Sequence, residues 1–167
     1  MIPRSSVLLA LVAIGCSPAD DNGSPPPPSK VVEWTASAEN LRPAVDGGTL
    51  LDIALTAQVE PGWKLYSLTQ KGGGPVAMTV TLDSLSPYKL AGDVTGPAAE
   101  RAQDPNFGIE TETYSGAPAF IVPVLVPAIV DSSQPIELRV RSQACSDRLC
   151  LPARTTTVSV PPPLEGA

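Results

Sequence analysis

The stretch from Ile136 to Arg141, with the sequence IELRVR, alternates apolar side chains with charged ones. Strict alternation places every second residue on the same face of a β-strand, so one face of this segment is predicted to be buried and the other solvated. The segment from Val76 to Leu82 repeats the pattern, with Val, Met, Val and Leu at every second position. Both segments therefore predict strands of a sheet that packs on one side, as antiparallel sheets commonly do.

Turn residues separate further segments of this kind along most of the chain. Glycine and proline clusters, such as GGGP at residues 72–75, interrupt the alternation at short intervals, and no amphipathic helix of normal length is predicted. We predict eight strands, in the ranges Val31–Ala38, Leu50–Val59, Trp63–Ser67, Val76–Leu82, Tyr88–Val94, Ala119–Val126, Ile136–Gln143 and Thr155–Val160. This pattern predicts an all-β fold, an antiparallel β-sandwich with immunoglobulin-like architecture.

The polar segment from Ala98 to Ser115 lacks sustained alternation and contains turn-forming residues, among them Asp104, Asn106 and Gly108. We predict a long loop between strands here. Long ordered loops in compact domains often have a function, and an ordinary solvated loop is the alternative.

The ends of the chain differ in composition from its centre. Residues 1–16 are predicted to be a signal peptide, because Arg4 precedes an apolar run, Val7 to Ile14, that is too short to span a bilayer. The run is followed by Gly15 and Cys16, which resembles a lipobox, so Cys16 is predicted to carry the lipid. The alternative is a secretory signal with an incidental cysteine. Residues 17–30 are a proline-rich tether, residues 31–160 the sandwich, and residues 161–167 a disordered tail.

This organisation predicts a protein of the bacterial cell envelope, lipid-anchored on the periplasmic side, with Ser17 favouring the outer membrane. The net charge of −6 and the pI near 4.5 argue against binding nucleic acid, which requires a basic surface. The same charge disfavours binding to anionic lipid headgroups, so membrane contact is expected through the N-terminal lipid only.

Missing residue types exclude much of enzyme chemistry. The chain has no histidine, which excludes Ser-His-Asp triads, Cys-His pairs and histidine-built zinc sites. If Cys16 is acylated, the two remaining cysteines cannot form a four-cysteine metal site, and no phosphate-binding glycine motif is present. We therefore expect no metal and no cofactor.

Cys145 and Cys150 lie directly after the alternating stretch, separated by the four residues Ser146 to Leu149. With Cys16 acylated they can pair only with each other. In a hairpin they would face one another near the Cα separation of about 5.5 Å that disulfides accept. The spacing fits a structural disulfide and a redox-active dithiol equally well. Arg148 would favour a thiolate in this loop, whereas Asp147 would oppose it.

Six short motifs lie along the chain, two of them at these cysteines. They are PGWKLYS at residues 61–67, DPNFG at 104–108, ETY at 112–114, FIVPV at 120–124, SQAC at 142–145 and CLPA at 150–153. In this order, and over most of residues 31–160, they resemble the N-terminal periplasmic domain of DsbD, the thiol:disulfide interchange protein.

The resemblance implies an immunoglobulin-like sandwich that exchanges electrons through a dithiol. It implies that Cys145 is the nucleophile and Cys150 the resolving thiol, with Asp104 and Phe107 in a cap that shields the pair. Tyr66 would lie beside the cysteines, and Trp63 and Tyr66 would either form the wall of the site or pack in the core.

The resemblance also implies the partners. The DsbD domain is reduced by a membrane-embedded partner and in turn reduces thioredoxin-fold proteins, including those of cytochrome c biogenesis. We expect the membrane electron donor to be a separate protein here.

The sequence departs from the family pattern at three places. The cysteine loop is one residue shorter, Lys64 stands in place of an aromatic residue, and Ala153 stands in place of a second proline.

The leading prediction is an extracytoplasmic thiol–disulfide interchange module that relays electrons between proteins through Cys145 and Cys150. It would be a protein thiol–disulfide oxidoreductase if the pair is redox-active. The alternative is a non-enzymatic binding or scaffold lipoprotein with a structural Cys145–Cys150 disulfide. A third hypothesis is a docking module for the assembly of cytochromes or metal centres.

Overall fold

The computed structural model describes residues 31–129 and 134–161. The predicted signal peptide, Cys16, the tether of residues 17–30 and all but the first residue of the predicted tail lie outside the described residues. Within the described ranges, no helix is long and apolar enough to cross a membrane.

The described residues form strands in the order β1 Val32–Pro43, β2 Thr49–Val59, β3 Lys64–Tyr66, β4 Thr79–Leu82, β5 Lys89–Leu90, β6 Glu100–Asp104, β7 Ile109–Tyr114, β8 Ala119–Val126, β9 Ile136–Ser142, β10 Ala144–Cys145 and β11 Arg154–Val160. All pairings between them are antiparallel. The predicted all-β fold, an immunoglobulin-like antiparallel β-sandwich, is confirmed.

Three sheets build the sandwich, with strand orders β1-β2-β8-β5, β10-β3-β7-β6 and β11-β9-β4. One hydrophobic cluster lies between them, because alternate residues of the long strands point inward and are aliphatic or aromatic. Its fully buried members include Leu51, Ile53 and Leu55 from β2, Phe120, Val122 and Val124 from β8, and Ile136, Leu138 and Val140 from β9. The outward residues of β9 are exposed, so the segment IELRVR has one buried face and one solvated face, as predicted.

The path of β9 positions the cysteines. Only Gln143 separates β9 from β10, so the chain passes from the three-stranded sheet into the sheet of β3, β6 and β7. Cys145 is the last residue of β10, directly opposite Lys64 of β3. The core strand β9 therefore leads almost directly into β10, which ends at Cys145.

The predicted loop of residues 98–115 is instead a hairpin, β6 and β7, joined by Pro105 to Gly108. The sequence signal was weak because β6 is an edge strand with mostly exposed, polar side chains. In β7 the most buried alternating positions hold Thr111 and Thr113, which are 3% and 6% exposed, in place of aliphatic residues. Because the inward positions of β7 are polar as well, the segment lacks the alternation of apolar and polar residues from which a strand is predicted.

Smaller differences concern strand lengths. β1 continues beyond the predicted end at Ala38, through an irregularity at Asn40, whose φ of 37° is typical of a bulged position. The predicted strand Tyr88–Val94 reduces to Lys89–Leu90, followed by an isolated bridge between Thr95 and Ile121.

Candidate functional site

Cys145 and Cys150 form a disulfide across the neck of a tight loop, Ser146 to Leu149, which we call the cysteine loop. The Ser146 amide donates to the Leu149 carbonyl at 2.8 Å, and the Leu151 amide donates to the Ala144 carbonyl at 2.9 Å. The two cysteines are thus a non-hydrogen-bonded antiparallel pair, the kind with the closer Cα atoms. Their Cα separation of 4.1 Å is accordingly shorter than the predicted value.

Polar side chains hold the cysteine loop in shape. The Ser146 hydroxyl accepts hydrogen bonds from the amides of Arg148 and Leu149, at 3.3 and 3.1 Å. At the neck, the Gln143 side-chain amide donates to the Leu151 carbonyl at 3.2 Å, and its oxygen accepts from the Val76 amide at 2.8 Å. Gln143 therefore ties the two arms of the loop to the segment before β4. Gln143 belongs to the SQAC motif, and the sequence carries no signal for this bridging role.

The two cysteines differ in exposure. Cys145 is only 3% exposed, because it lies within the ladder formed with β3. Cys150 follows the loop and is partly exposed. Cys150 is therefore the more accessible residue of the pair.

Tyr66 of β3 lies beside the disulfide, with its hydroxyl 4.0 Å from Cys150 Sγ. The same hydroxyl donates a hydrogen bond of 2.6 Å to Asp104 Oδ2. Because the single hydroxyl proton is directed at Asp104, Tyr66 donates no hydrogen bond to the disulfide sulfur, which itself has no hydrogen to donate. The register of β3 on β7 and of β7 on β6 brings these distant residues together.

The segment from Asp104 to Gly108, which we call the cap, is the turn between β6 and β7. The Asp104 carboxylate accepts the Asn106 amide at 2.8 Å, and the Asp104 carbonyl accepts the Gly108 amide at 2.8 Å. Gly108 has a φ of 67°, a conformation that favours glycine. The cap is therefore an ordered turn.

Two contacts join the cap to the cysteine site. Asn106 Nδ2 donates to the Ser146 carbonyl of the cysteine loop at 2.9 Å. The Phe107 ring packs edge-on against Tyr66, with ring centroids 6.0 Å apart and planes at 84°. Within the hairpin, the Thr111 hydroxyl donates a further hydrogen bond of 3.4 Å to Asp104 Oδ2.

Burial raises the pKa of the Tyr66 hydroxyl well above its ordinary value, and the hydrogen bond to Asp104 and its charge act in the same direction. For Asp104, burial alone would raise the pKa. The hydrogen bonds from Tyr66 and from the amides of Asn106 and Phe107 outweigh burial, so the pKa of this carboxyl is lowered. Asp104 is therefore an anion at neutral pH, and Tyr66 remains protonated.

Hydrogen bonds with Glu112 of β7 hold the turn that follows Tyr66 in place. Glu112 accepts hydrogen bonds from the hydroxyls of Ser67 and Thr69, and its amide donates to Gln70 Oε1 at 2.8 Å. Arg101 of β6 pairs with the same carboxylate at 2.6 Å. The hydrogen bond from Thr69 contributes most to lowering the pKa of Glu112. These bonds anchor the chain directly after Tyr66.

A cleft beside the disulfide is lined by Lys64, Tyr66, Asp104, Asn106, Cys145 and Asp147, among others. Cys145, Tyr66 and Asp104, which sequence analysis proposed, thus converge on one place, with Cys150 and Phe107 in contact with Tyr66. Trp63 does not line the cleft and is partly buried against the hydrophobic cluster. Lys64 and Asn106 do line it, although sequence analysis noted Lys64 only as a departure from the family.

No group of three or more potential metal ligands occurs among the described residues.

Comparisons with known proteins agree with this geometry. The family model described as "Thiol:disulfide interchange protein DsbD, N-terminal" matches residues 32–162. A search of curated proteins finds no match. The reduced N-terminal domain of DsbD from Neisseria meningitidis superposes with a TM-score of 0.53 at 17% identity, covering 86% of this chain and 94% of that one.

A second solved structure, the N-terminal periplasmic domain of ScsB from Proteus mirabilis, gives a TM-score of 0.49 at 20% identity. That alignment covers 78% of this chain and 45% of the other. The family match extends over nearly all of the described residues and includes both cysteines and the cap. The chain therefore belongs to the family of DsbD N-terminal domains.

Proposed function

We propose that this protein is an extracytoplasmic thiol–disulfide interchange module that relays electrons between protein partners through Cys145 and Cys150. The observation that carries the proposal is the position of the disulfide, in a tight loop with its Cys150 side accessible and an ionised carboxylate held nearby. A purely structural disulfide needs neither an accessible sulfur nor a cap.

The exchange begins at Cys150, because it is the more exposed residue of the two. This order is the reverse of the one that the resemblance implied. When the dithiol acts as reductant, the Cys150 thiolate attacks the partner's disulfide and forms a mixed disulfide. Cys145 then attacks Cys150 Sγ, which closes the intramolecular disulfide and releases the partner with its two cysteines reduced.

Tyr66 and Asp104 keep the Cys150 thiol protonated while no partner is bound. The negative charge of Asp104 lies one hydroxyl group away from Cys150 Sγ, and the Tyr66 proton points away from the sulfur. Both features disfavour a thiolate at Cys150. The cap adds a steric barrier, since Asn106 and Phe107 join it to the cysteine loop and to Tyr66.

The partners on both sides of the relay are proteins. Thioredoxin-fold proteins present accessible cysteines that fit exchange at Cys150, and a separate membrane protein supplies the electrons. The module itself contacts the membrane through the lipid on Cys16 only, on the periplasmic side of the envelope and at the outer membrane.

The reduction potential of the Cys145–Cys150 pair tests the proposal directly. We expect a value between about −180 and −270 mV, the interval between protein disulfide isomerase and thioredoxin, measured by equilibration with glutathione or dithiothreitol buffers. A value below about −300 mV would identify a structural disulfide and would support the alternative, a scaffold lipoprotein.

Replacement of Cys16 tests the anchor. The Cys16→Ser variant should move from the membrane fraction to the soluble fraction, because loss of the acyl chains removes most of the membrane affinity. Cell fractionation followed by immunoblotting measures the distribution, with a Ser17→Ala variant as the control that keeps the cysteine. Retention of the Cys16→Ser protein on membranes would contradict lipidation.

A further inference from the structure

Lys64 is the basic residue placed nearest to Cys145 by the strand register. It lies directly opposite Cys145 in the β10–β3 ladder, and both line the same cleft. Side chains of directly opposed residues lie on one face of the sheet, with Cβ atoms about 5 Å apart. The Lys64 ammonium can thus approach the sulfur of Cys145 from a neighbouring strand.

The charged groups around the cysteines are arranged asymmetrically. The Asp104 carboxylate is linked to Cys150 through the Tyr66 hydroxyl, and it also lines the cleft that contains Cys145. Lys64 lies on the side of Cys145. The cysteine loop itself carries Asp147 and Arg148, both exposed. The basic residue paired with Cys145 therefore favours negative charge at that cysteine, whereas the link from Asp104 through Tyr66 disfavours it at Cys150.

Asp147 moderates the charge of Lys64 without cancelling it. Its Oδ1 lies 3.7 Å from Lys64 Nζ, and the Asp147 side chain is 78% exposed. An ion pair of this length and exposure is weak. The Lys64 side chain is 41% exposed, so the ammonium is free to turn towards the sulfur as charge develops there.

We infer that Lys64 stabilises the Cys145 thiolate that leaves when a partner reduces the disulfide. The donor thiolate attacks Cys150 Sγ, the sulfur–sulfur bond breaks, and its electron pair remains on Cys145 Sγ beside the ammonium. The donor's second thiolate then breaks the mixed disulfide and releases Cys150, which takes up a proton. Two electrons pass from the donor dithiol, and the donor becomes a disulfide.

The physical need for such a residue follows from burial. Cys145 is 3% exposed, and burial disfavours a thiolate. A thiol with a lower pKa is a better leaving group in exchange. An ammonium opposite Cys145 offsets the cost of burial at the moment when the negative charge appears.

The inference rests on the proposed exchange at this disulfide, but its test needs no protein partner. In the full chain carrying Cys16→Ser and Cys150→Ser, Cys145 is the only remaining thiol, and the ultraviolet absorbance of its thiolate reports its pKa. We expect Lys64→Met to raise this pKa by about one unit, and Lys64→Arg to restore it. Asp147→Asn should shift the pKa in the opposite direction, because it removes a neighbouring negative charge.

Lys89→Met is the matched control, since Lys89 is an exposed lysine of β5 in another sheet. In the protein with both cysteines of the pair, Lys64→Met should slow reduction by dithiothreitol about threefold at fixed pH, whereas Lys89→Met should not. Equal pKa values in the Lys64→Met and Lys89→Met proteins would overturn the inference. Failure of Lys64→Arg to restore the pKa would do the same, because it would indicate a structural role.

Discussion

Cys145→Ser is expected to trap the protein in a covalent complex with thioredoxin-fold partners, and Cys150→Ser to trap much less of it. In the first variant the exposed thiol at position 150 forms the mixed disulfide, and the residue that would resolve it is missing. In the second, the remaining thiol is that of Cys145, which is 3% exposed and enclosed by the ladder with β3. We expect about tenfold more adduct from Cys145→Ser, since attack depends on access to the sulfur.

The measurement is non-reducing electrophoresis of cells whose thiols are rapidly alkylated, followed by identification of the bound protein. Both variants should be expressed at equal level, with the double variant Cys145→Ser/Cys150→Ser as the control that forms no adduct at this site. More adduct from Cys150→Ser would restore the order of attack that the resemblance implied. Absence of any adduct from either single variant would contradict the relay itself.

Phe107→Ala should expose the disulfide and accelerate its reduction by a small thiol about tenfold, because the cap loses its packing against Tyr66. Asn106→Ala should have the same direction of effect, since it removes the hydrogen bond from the cap to the Ser146 carbonyl. The measurement is the rate of reduction by dithiothreitol, followed by quenched alkylation and mass spectrometry.

Phe107→Leu is the matched control for the cap, because leucine retains an apolar side chain over Tyr66 and should give a smaller acceleration than alanine. Leu85→Ala controls for truncation of an apolar side chain away from the site, as Leu85 is 92% exposed in the loop before β5. Unchanged rates in both Phe107→Ala and Asn106→Ala would show that the cap does not shield the site.

Strands with a strong aliphatic alternation were predictable almost to the residue. The predicted strand Ala119–Val126 is β8 without change, and the predictions for β2 and β9 differ from the structure by one residue at one end. These strands line the core, so burial selects apolar residues at every second position. The hairpin of β6 and β7 was missed because its inward positions hold threonine and aspartate, which belong to the site.

The members of the site could be named from the resemblance, but their contacts depend on strand register. The bond from Tyr66 to Asp104 joins residues 38 positions apart, and no local pattern encodes it. The alternation of side chains along the strand would have been enough to assign Trp63 to the core and not to the wall of the site. Trp63 shares the odd-numbered positions with Leu65, which is fully buried in the core, whereas Lys64 and Tyr66 share the face of the cleft.

The hydrogen bonds of Gln143 and of the loop neck have a consequence for the reduced protein. They join Ala144 to Leu151 and Ser146 to Leu149 independently of the sulfur–sulfur bond. When that bond breaks, the two arms have no reason to separate, so the thiols remain neighbours at a high effective concentration. The protein therefore changes redox state with little rearrangement of its backbone, and each turnover begins from a site that is already assembled.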